Sequence, residues 1–166
     1  MNKELEILFK RRSIRKYHDR PVSKEHTEAI LRAAMAAPSA SNKQPWQFIV
    51  IEERKTLNAL ADLHAHGKML FEATQCIVVC GEKSNPFWEQ DCSAATQNIL
   101  LAAAGLGLGS VWLGVHPRAE RETQVATMLG ISEDYAPLCL IAIGHPAEEK
   151  PPSDRYAEAK VHWEKW

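Results

Sequence analysis

The sequence predicts a chain of mixed helix and strand, α/β or α+β, on two observations. Segments with the apolar period of helices alternate along the whole chain with short β-rich runs, which excludes all-α and all-β architectures. The 166 residues are 45% apolar and 25% charged, which fits one domain, residues 1–166, with a real core.

Residues 3–10 predict a short helix with Leu5, Leu8 and Phe9 on one side. Residues 24–36 predict a longer one: Ser23 can cap its N-terminus, and Ile30, Ala33, Ala34 and Ala37 form an apolar stripe. Pro38 stops it, because the residue before a proline is pushed out of the α region. Residues 46–51 are β-rich, and 53–63 form a helix with Leu57, Leu60 and Ala61 on one face. The apolar run 76–80 predicts a buried strand. Residues 88–104 form the longest helix, apolar on most sides from Ser93 onward, so it is buried in the core or against another subunit. A strand over 110–115, a helix over 118–129 ended at Gly130, and a strand over 138–143 ended by Gly144 complete the body. The tail from Pro146 onward is charged yet carries Tyr156, Trp163 and Trp166, aromatics that predict docking rather than disorder.

The net charge of −1 argues against nucleic-acid binding. The N-terminal ten residues have no continuous apolar core and no run reaches the length of a membrane span, so the expected location is the cytoplasm. Cys76, Cys80, Cys92 and Cys139 form no CxxC pair and are expected as reduced, buried thiols.

Two motifs carry chemistry. The first, Arg11-Arg12-Ser13-Ile14-Arg15-Lys16, follows a short helix and is rich in phosphate donors: guanidinium groups grip phosphate in pairs, and a hydroxyl adds a short contact. By itself such a run also reads as a solvated basic turn. The second, residues 38–46, is Pro38-Ser39-Ala40-Ser41-Asn42-Lys43-Gln44-Pro45-Trp46. Its amides can read the edge of a heterocycle, and its small residues let backbone approach a flat ring. Alone, it is equally an ordinary polar loop between prolines.

With both motifs in this order, the sequence resembles the FMN-dependent nitroreductase family. The stretch 102–114, Ala-Ala-Ala-Gly-Leu-Gly-Leu-Gly-Ser-Val-Trp-Leu-Gly, is similar to that family's long helix and following strand. The resemblance implies an α+β fold, a mixed or antiparallel central sheet flanked by helices, in an intertwined homodimer. The helix 88–104 would lie at the interface and the aromatic tail would wrap the partner. It implies that Arg11, Arg12 and Ser13 hold the FMN phosphate and ribityl chain, and that Arg15 lies near the pyrimidine end of the ring. There a cation stabilises negative charge on the reduced ring. It places Pro38, Ser39, Ala40 and Asn42, with Gln44 beside them, on a loop that reaches the flavin of the other subunit. Leu113 and Gly114 would supply backbone to the reactive face, Arg155 a C-terminal phosphate contact, and Lys68 a cation near the ring. Longer members carry a second basic residue where this chain has Ser153.

The implied activity is ping-pong transfer of a hydride from NADH or NADPH through flavin N5 to nitroaromatics, quinones or similar small acceptors. No catalytic side chain is assigned, since the cofactor carries the redox step. The alternatives are a relative specialised for dehalogenation or flavin breakdown, and a flavin-storing or sensing module without efficient turnover. Other candidates are weaker. Gly105, Gly107 and Gly109 leave a helix and enter a strand, the reverse of a dinucleotide fingerprint. His64 and His66 lack the partners of a metal motif, so no metal is expected, and Cys92 lacks a discernible base. Phe87 and Trp88 read equally as a lid or as core anchors.

Overall fold

The computed structural model describes residues 2–166, apart from the side chain of Lys3. Five helices and five strands make up its frame: α1 (Glu6–Lys10), β1 (Tyr17–His18), α2 (Lys24–Met35), β2 (Trp46–Ile51), α3 (Arg54–Leu63), β3 (Gln75–Glu82), α4 (Trp88–Gly105), β4 (Gly109–Gly114), α5 (Ala119–Leu129) and β5 (Tyr135–Pro146). The fold is α+β with an antiparallel sheet. β2 pairs with β3, β3 with β5, and the far edge of β5 pairs with both β1 and β4. The parallel contact is an isolated bridge between Ser13 and Ser110.

Strand alternation divides the core. Ile77 and Val79 of β3, with Cys139, Ile141 and Ile143 of β5, face the layer containing α2 and α4. Cys76, Val78 and Cys80, with Leu140 and Ala142, face α3 and α5. Both central strands are buried on both sides, which explains their nearly unbroken apolar sequence. Ser23 caps α2, its hydroxyl accepting from the His26 N–H at 3.2 Å. Gly130 ends α5 at φ 65°, a left-handed position that glycine takes without a Cβ penalty.

Three expectations change. β1 is absent from the sequence reading, since two residues carry no periodicity. β5 runs through Gly144 rather than stopping there, because β1 lies across it: a Cβ on Gly144 would come within 2.9 Å of Tyr17 Cδ1. Leu5, just before α1, and Leu8 within it are each 48% exposed, so the apolar side of residues 3–10 is not buried within this chain. The tail likewise leaves Tyr156, Trp163 and Trp166 open. α4 buries one stripe, including Cys92, Ala95, Ile99 and Ala103, and leaves Leu101 and Ala102 half-covered.

A bulge positions the end of β4. Val79 pairs with Cys139 and Cys80 with Pro137, so Leu138 is the extra residue. Its carbonyl accepts from both the Val115 N–H at 3.0 Å and the His116 N–H at 3.1 Å. That closes β4 and starts the turn into α5. No helix among the described residues is long and apolar enough to cross a membrane.

Candidate functional site

The basic segment is held between β4 and the C-terminal strap. The Ile14 N–H donates to the Ser110 carbonyl at 3.0 Å. On the other side the chain beyond β5 runs antiparallel to residues 9–17. The Ala147 N–H donates to Lys16 O at 2.9 Å and the Ser153 N–H to Phe9 O at 2.9 Å. Lys150 Nζ donates to Ser13 O at 2.7 Å, and the Arg12 guanidinium donates to the Pro151 carbonyl. Glu148 accepts from the Arg15 N–H at 2.6 Å and pairs with Lys150 at 3.0 Å. These contacts hold its carboxyl below its ordinary pKa, the Arg15 N–H most of all.

This register carries Arg155 toward Arg11. Burial, then Arg155 and Arg12, hold the Arg11 guanidinium below the usual arginine range. Among the described residues none of these three arginines forms an ion pair with a carboxylate. Arg11 and Arg12 are half-buried and Arg155 is exposed; unneutralised guanidinium groups drawn together in this way are the chemistry of a phosphate site.

Along β4 from this cluster, a cavity of about 300 Å³ opens at the strand's glycine end. Trp112, Leu113 and Gly114 form one wall, with Arg15, Arg118, Arg121, His64, His66 and His116 around it and no carboxylate in the lining. A Cβ on Gly114 would meet nothing closer than His116 O at 3.9 Å, so packing within the chain does not require glycine there. The residue is exposed toward the cavity, and a side chain would occupy the space a flat ligand needs. The Gly114 carbonyl accepts from His64 at 2.9 Å and from Arg121 at 2.7 Å, both of which line the same cavity. His64 and Arg121 were absent from the expected site. Their signal is tertiary: they come from the end of α3 and from α5, meeting at one carbonyl.

The second motif lies elsewhere. Trp46, its last residue, opens the edge strand β2, whereas Gly114 closes β4 at the opposite edge. β3 and β5 intervene, so the two strands are three spacings apart, roughly 14 Å. The loop is internally braced: the Gln44 N–H donates to Ser39 Oγ at 3.0 Å and Gln44 Nε2 to Asn42 Oδ1 at 2.9 Å. Ser41, Asn42 and Gln44 all have positive φ (50°, 54° and 49°), a strained arrangement that surrounding contacts must hold. Asp91 of α4 supplies one, accepting from the Ala40 N–H at 3.0 Å. Pro38 stands exposed at the loop's start.

Ala40, Ser41 and Lys43 share a second cavity of about 370 Å³ with Pro86 and Phe87. The lid-or-anchor question thereby divides: Phe87 is 51% exposed beside this cavity, and Trp88 is buried. Lys68 pairs with Asp62 at 3.5 Å and stands over the Phe71 ring, outside the β4 cavity lining. Burial raises the Cys92 thiol to about 12, leaving negligible thiolate near neutrality. All four cysteines are free and buried. Gly105 closes α4 and Gly109 opens β4, so the glycines form a helix-to-strand turn. No group of three metal-ligating side chains occurs among the described residues.

The Nitroreductase family profile matches residues 8–75 and 63–145. A relative from Archaeoglobus fulgidus, provisionally named an NADH dehydrogenase/NAD(P)H nitroreductase, is 47% identical over 174 residues, with all of both chains covered. An FMN-dependent nitroreductase from Clostridium difficile superposes with a TM-score of 0.93 at 35% identity, covering 98% of this chain and 99% of that one. A provisionally named nitroreductase from Desulfovibrio desulfuricans, solved in complex with FMN, superposes with a TM-score of 0.85 at 35% identity, covering 100% and 99%. With its phosphate-type arginine cluster and glycine-ended strand in the same fold, the chain belongs to the nitroreductase family.

Proposed function

We propose that the chain, as one domain over residues 1–166, is an FMN-dependent oxidoreductase that uses NADH or NADPH and works as a homodimer. The carrying observation is the cluster of Arg11, Arg12 and Arg155, unneutralised by any carboxylate among the described residues, on the same basic segment whose Arg15 lines a cation-walled cavity at the Gly114 end of β4. This donor set fits FMN: one phosphate for the arginines and Ser13, and a flat ring for the glycine face.

When bound, FMN supplies the redox chemistry, a hydride from the nicotinamide being accepted at N5 and passed to a nitroaromatic, quinone or similar acceptor. The chain's residues bind and orient. Arg11, Arg12, Ser13 and Arg155 hold the phosphate end. Arg15 places a cation at the pyrimidine end, favouring negative charge there. Leu113 and Gly114 present backbone to the ring, and Lys68 supplies a cation near it. Pro38, Ser39, Ala40, Asn42 and Gln44 serve the flavin of the partner subunit. The distance between the edges of the sheet, together with the open Leu5, Leu8, Trp163 and Trp166 surfaces, supports that division between two copies.

Anaerobic addition of NADH or NADPH to the FMN-loaded protein tests this reading. Rapid loss of the oxidised flavin absorbance, restored by a nitroaromatic or quinone, is expected. A protein that holds FMN but is not bleached by either nicotinamide is a storage or sensing module instead. Failure to bind FMN at all overturns the whole assignment.

A further inference from the structure

In the flavin reading above, Arg11, Arg12 and Arg155 take the phosphate and Arg15 the pyrimidine end of the ring. Arg118, at the start of α5, and Arg121, in its first turn, are left without a role. Both line the cavity of about 300 Å³ at the Gly114 end of β4. Both also line a second cavity of about 530 Å³, whose walls include Leu63, Ala65 and Pro117. The two guanidinium groups therefore stand where the ring cavity and an outer cavity adjoin.

Their donors are largely free. Among the described residues the Arg118 side chain forms no intrachain hydrogen bond and no ion pair, and Arg121 forms no ion pair. Arg121 gives one Nη1–H to the Gly114 carbonyl at 2.7 Å, and its other N–H groups remain for a ligand. The ring cavity has no carboxylate in its lining. The nearby carboxylates are engaged elsewhere. Glu89 and Glu122 contact His116 at 3.2 and 2.8 Å, and Glu120, on the outer wall, accepts from Gln124 at 3.4 Å.

Two unpaired guanidinium groups on one space match an anion: each offers paired N–H groups to carboxylate or phosphate oxygens. A neutral reactant would displace their water and leave both charges uncompensated. We propose that Arg118 and Arg121 form an anion subsite beside the flavin ring. The reactant that stacks there, nicotinamide donor or electron acceptor, carries a carboxylate or phosphate that these two side chains hold. The subsite rests on the flavin reading above. It sets the class of reactant: the guanidinium groups bind and orient, and the flavin supplies the chemistry.

The test is equilibrium binding to the oxidised, FMN-loaded protein, read without turnover as a perturbation of the flavin absorbance. Benzoate is compared with benzamide, which has its shape and no charge, and NADP+ with nicotinamide riboside, which lacks the phosphates. Wild type is set against Arg118→Ala and Arg118→Lys. The Arg118 side chain is exposed and makes no intrachain contact of its own, so FMN content and melting temperature should not change. In Arg118→Ala at least one anionic probe should bind roughly tenfold more weakly, the low end for a charge-assisted hydrogen bond, while its phosphate-free or uncharged counterpart binds as to wild type. Arg118→Lys should recover part of the loss, since it restores the charge without the paired N–H geometry. Added salt should weaken wild-type binding of the same anion.

A loss for benzoate alone places the anion on the acceptor, a loss for NADP+ alone places it on the donor, and a loss for both means that one subsite serves each in turn. Equal losses for an anion and its counterpart, or no loss for either anion, overturn the proposal. So does a wild type that binds neither anion. A drop in FMN content in Arg118→Ala assigns the side chain to the flavin itself and overturns it as well. In all these cases the flavin reading survives if NADH or NADPH still bleaches the wild-type protein. A wild type that binds no FMN overturns both.

Discussion

Arg11→Ala separates the phosphate site from the rest of the protein. Arg12 gives part of its guanidinium to the Pro151 carbonyl, but no intrachain hydrogen bond engages the side chain of Arg11 or Arg155 among the described residues. Arg11 is half-buried and held against the neighbouring positive charges of Arg155 and Arg12. Truncation removes no internal contact of that guanidinium and relieves repulsion, so the apoprotein should melt at the same temperature or slightly higher. With FMN present the sign reverses. Each charge-assisted hydrogen bond lost to the phosphate costs about 1.5–3 kcal/mol, which raises the FMN dissociation constant roughly 10- to 150-fold. Quenching of FMN fluorescence on titration with apoprotein measures it. Riboflavin, lacking the phosphate, should bind wild type and variant alike. An FMN affinity within twofold of wild type, or an equal loss for riboflavin, would refute the phosphate assignment.

Two further outcomes concern the frame around that site. A Cβ on Gly109 would lie 2.7 Å from Ile14 Cγ2 and 2.9 Å from Ile14 Cβ, so Gly109→Ala must push the basic segment off β4. It should cost about 1–3 kcal/mol in chemical denaturation and weaken FMN binding as well; an unchanged denaturation midpoint counts against the packing. Glu148 is held below its ordinary value of 4.5, so its contribution to stability is present above that value and is lost as pH falls through the lowered folded one. Glu148→Gln should therefore lower the thermal midpoint near about pH 7 and make little difference near about pH 3, a contrast that an equal effect at both would exclude.

Much of the fold was legible because its signals are local. The β2 residues 46–51 and the α2 cap at Ser23 match the expected bounds, since strand composition and capping chemistry act within a few residues. The apolar run in β3 read correctly as a buried strand, and that in β5 as a strand. β1 and the passage of β5 through Gly144 did not, because each depends on the other: a two-residue strand exists only where the distant strand offers an edge, and the glycine yields to a ring 127 residues earlier in the chain.

For the site, the sequence by itself determined which residue types were present: a run of guanidinium groups with a hydroxyl, an amide-rich loop between prolines, and a strand ending in glycine. Each motif alone also reads as an ordinary surface loop; their order along the chain, through the family resemblance it carries, names the ligand chemistry, and the family profile agrees. Their spatial arrangement is decided only by tertiary structure. The strap's antiparallel register sets Arg155 beside Arg11, the bulge at Leu138 turns the chain toward α5, and the four-strand width of the sheet parts the two motifs. Long-range pairing sets all three, and local sequence cannot encode which distant strand lies alongside. His64 is the sharpest case: its sequence neighbours assign it no role, and one carbonyl 50 residues away gives it a buried hydrogen-bond partner.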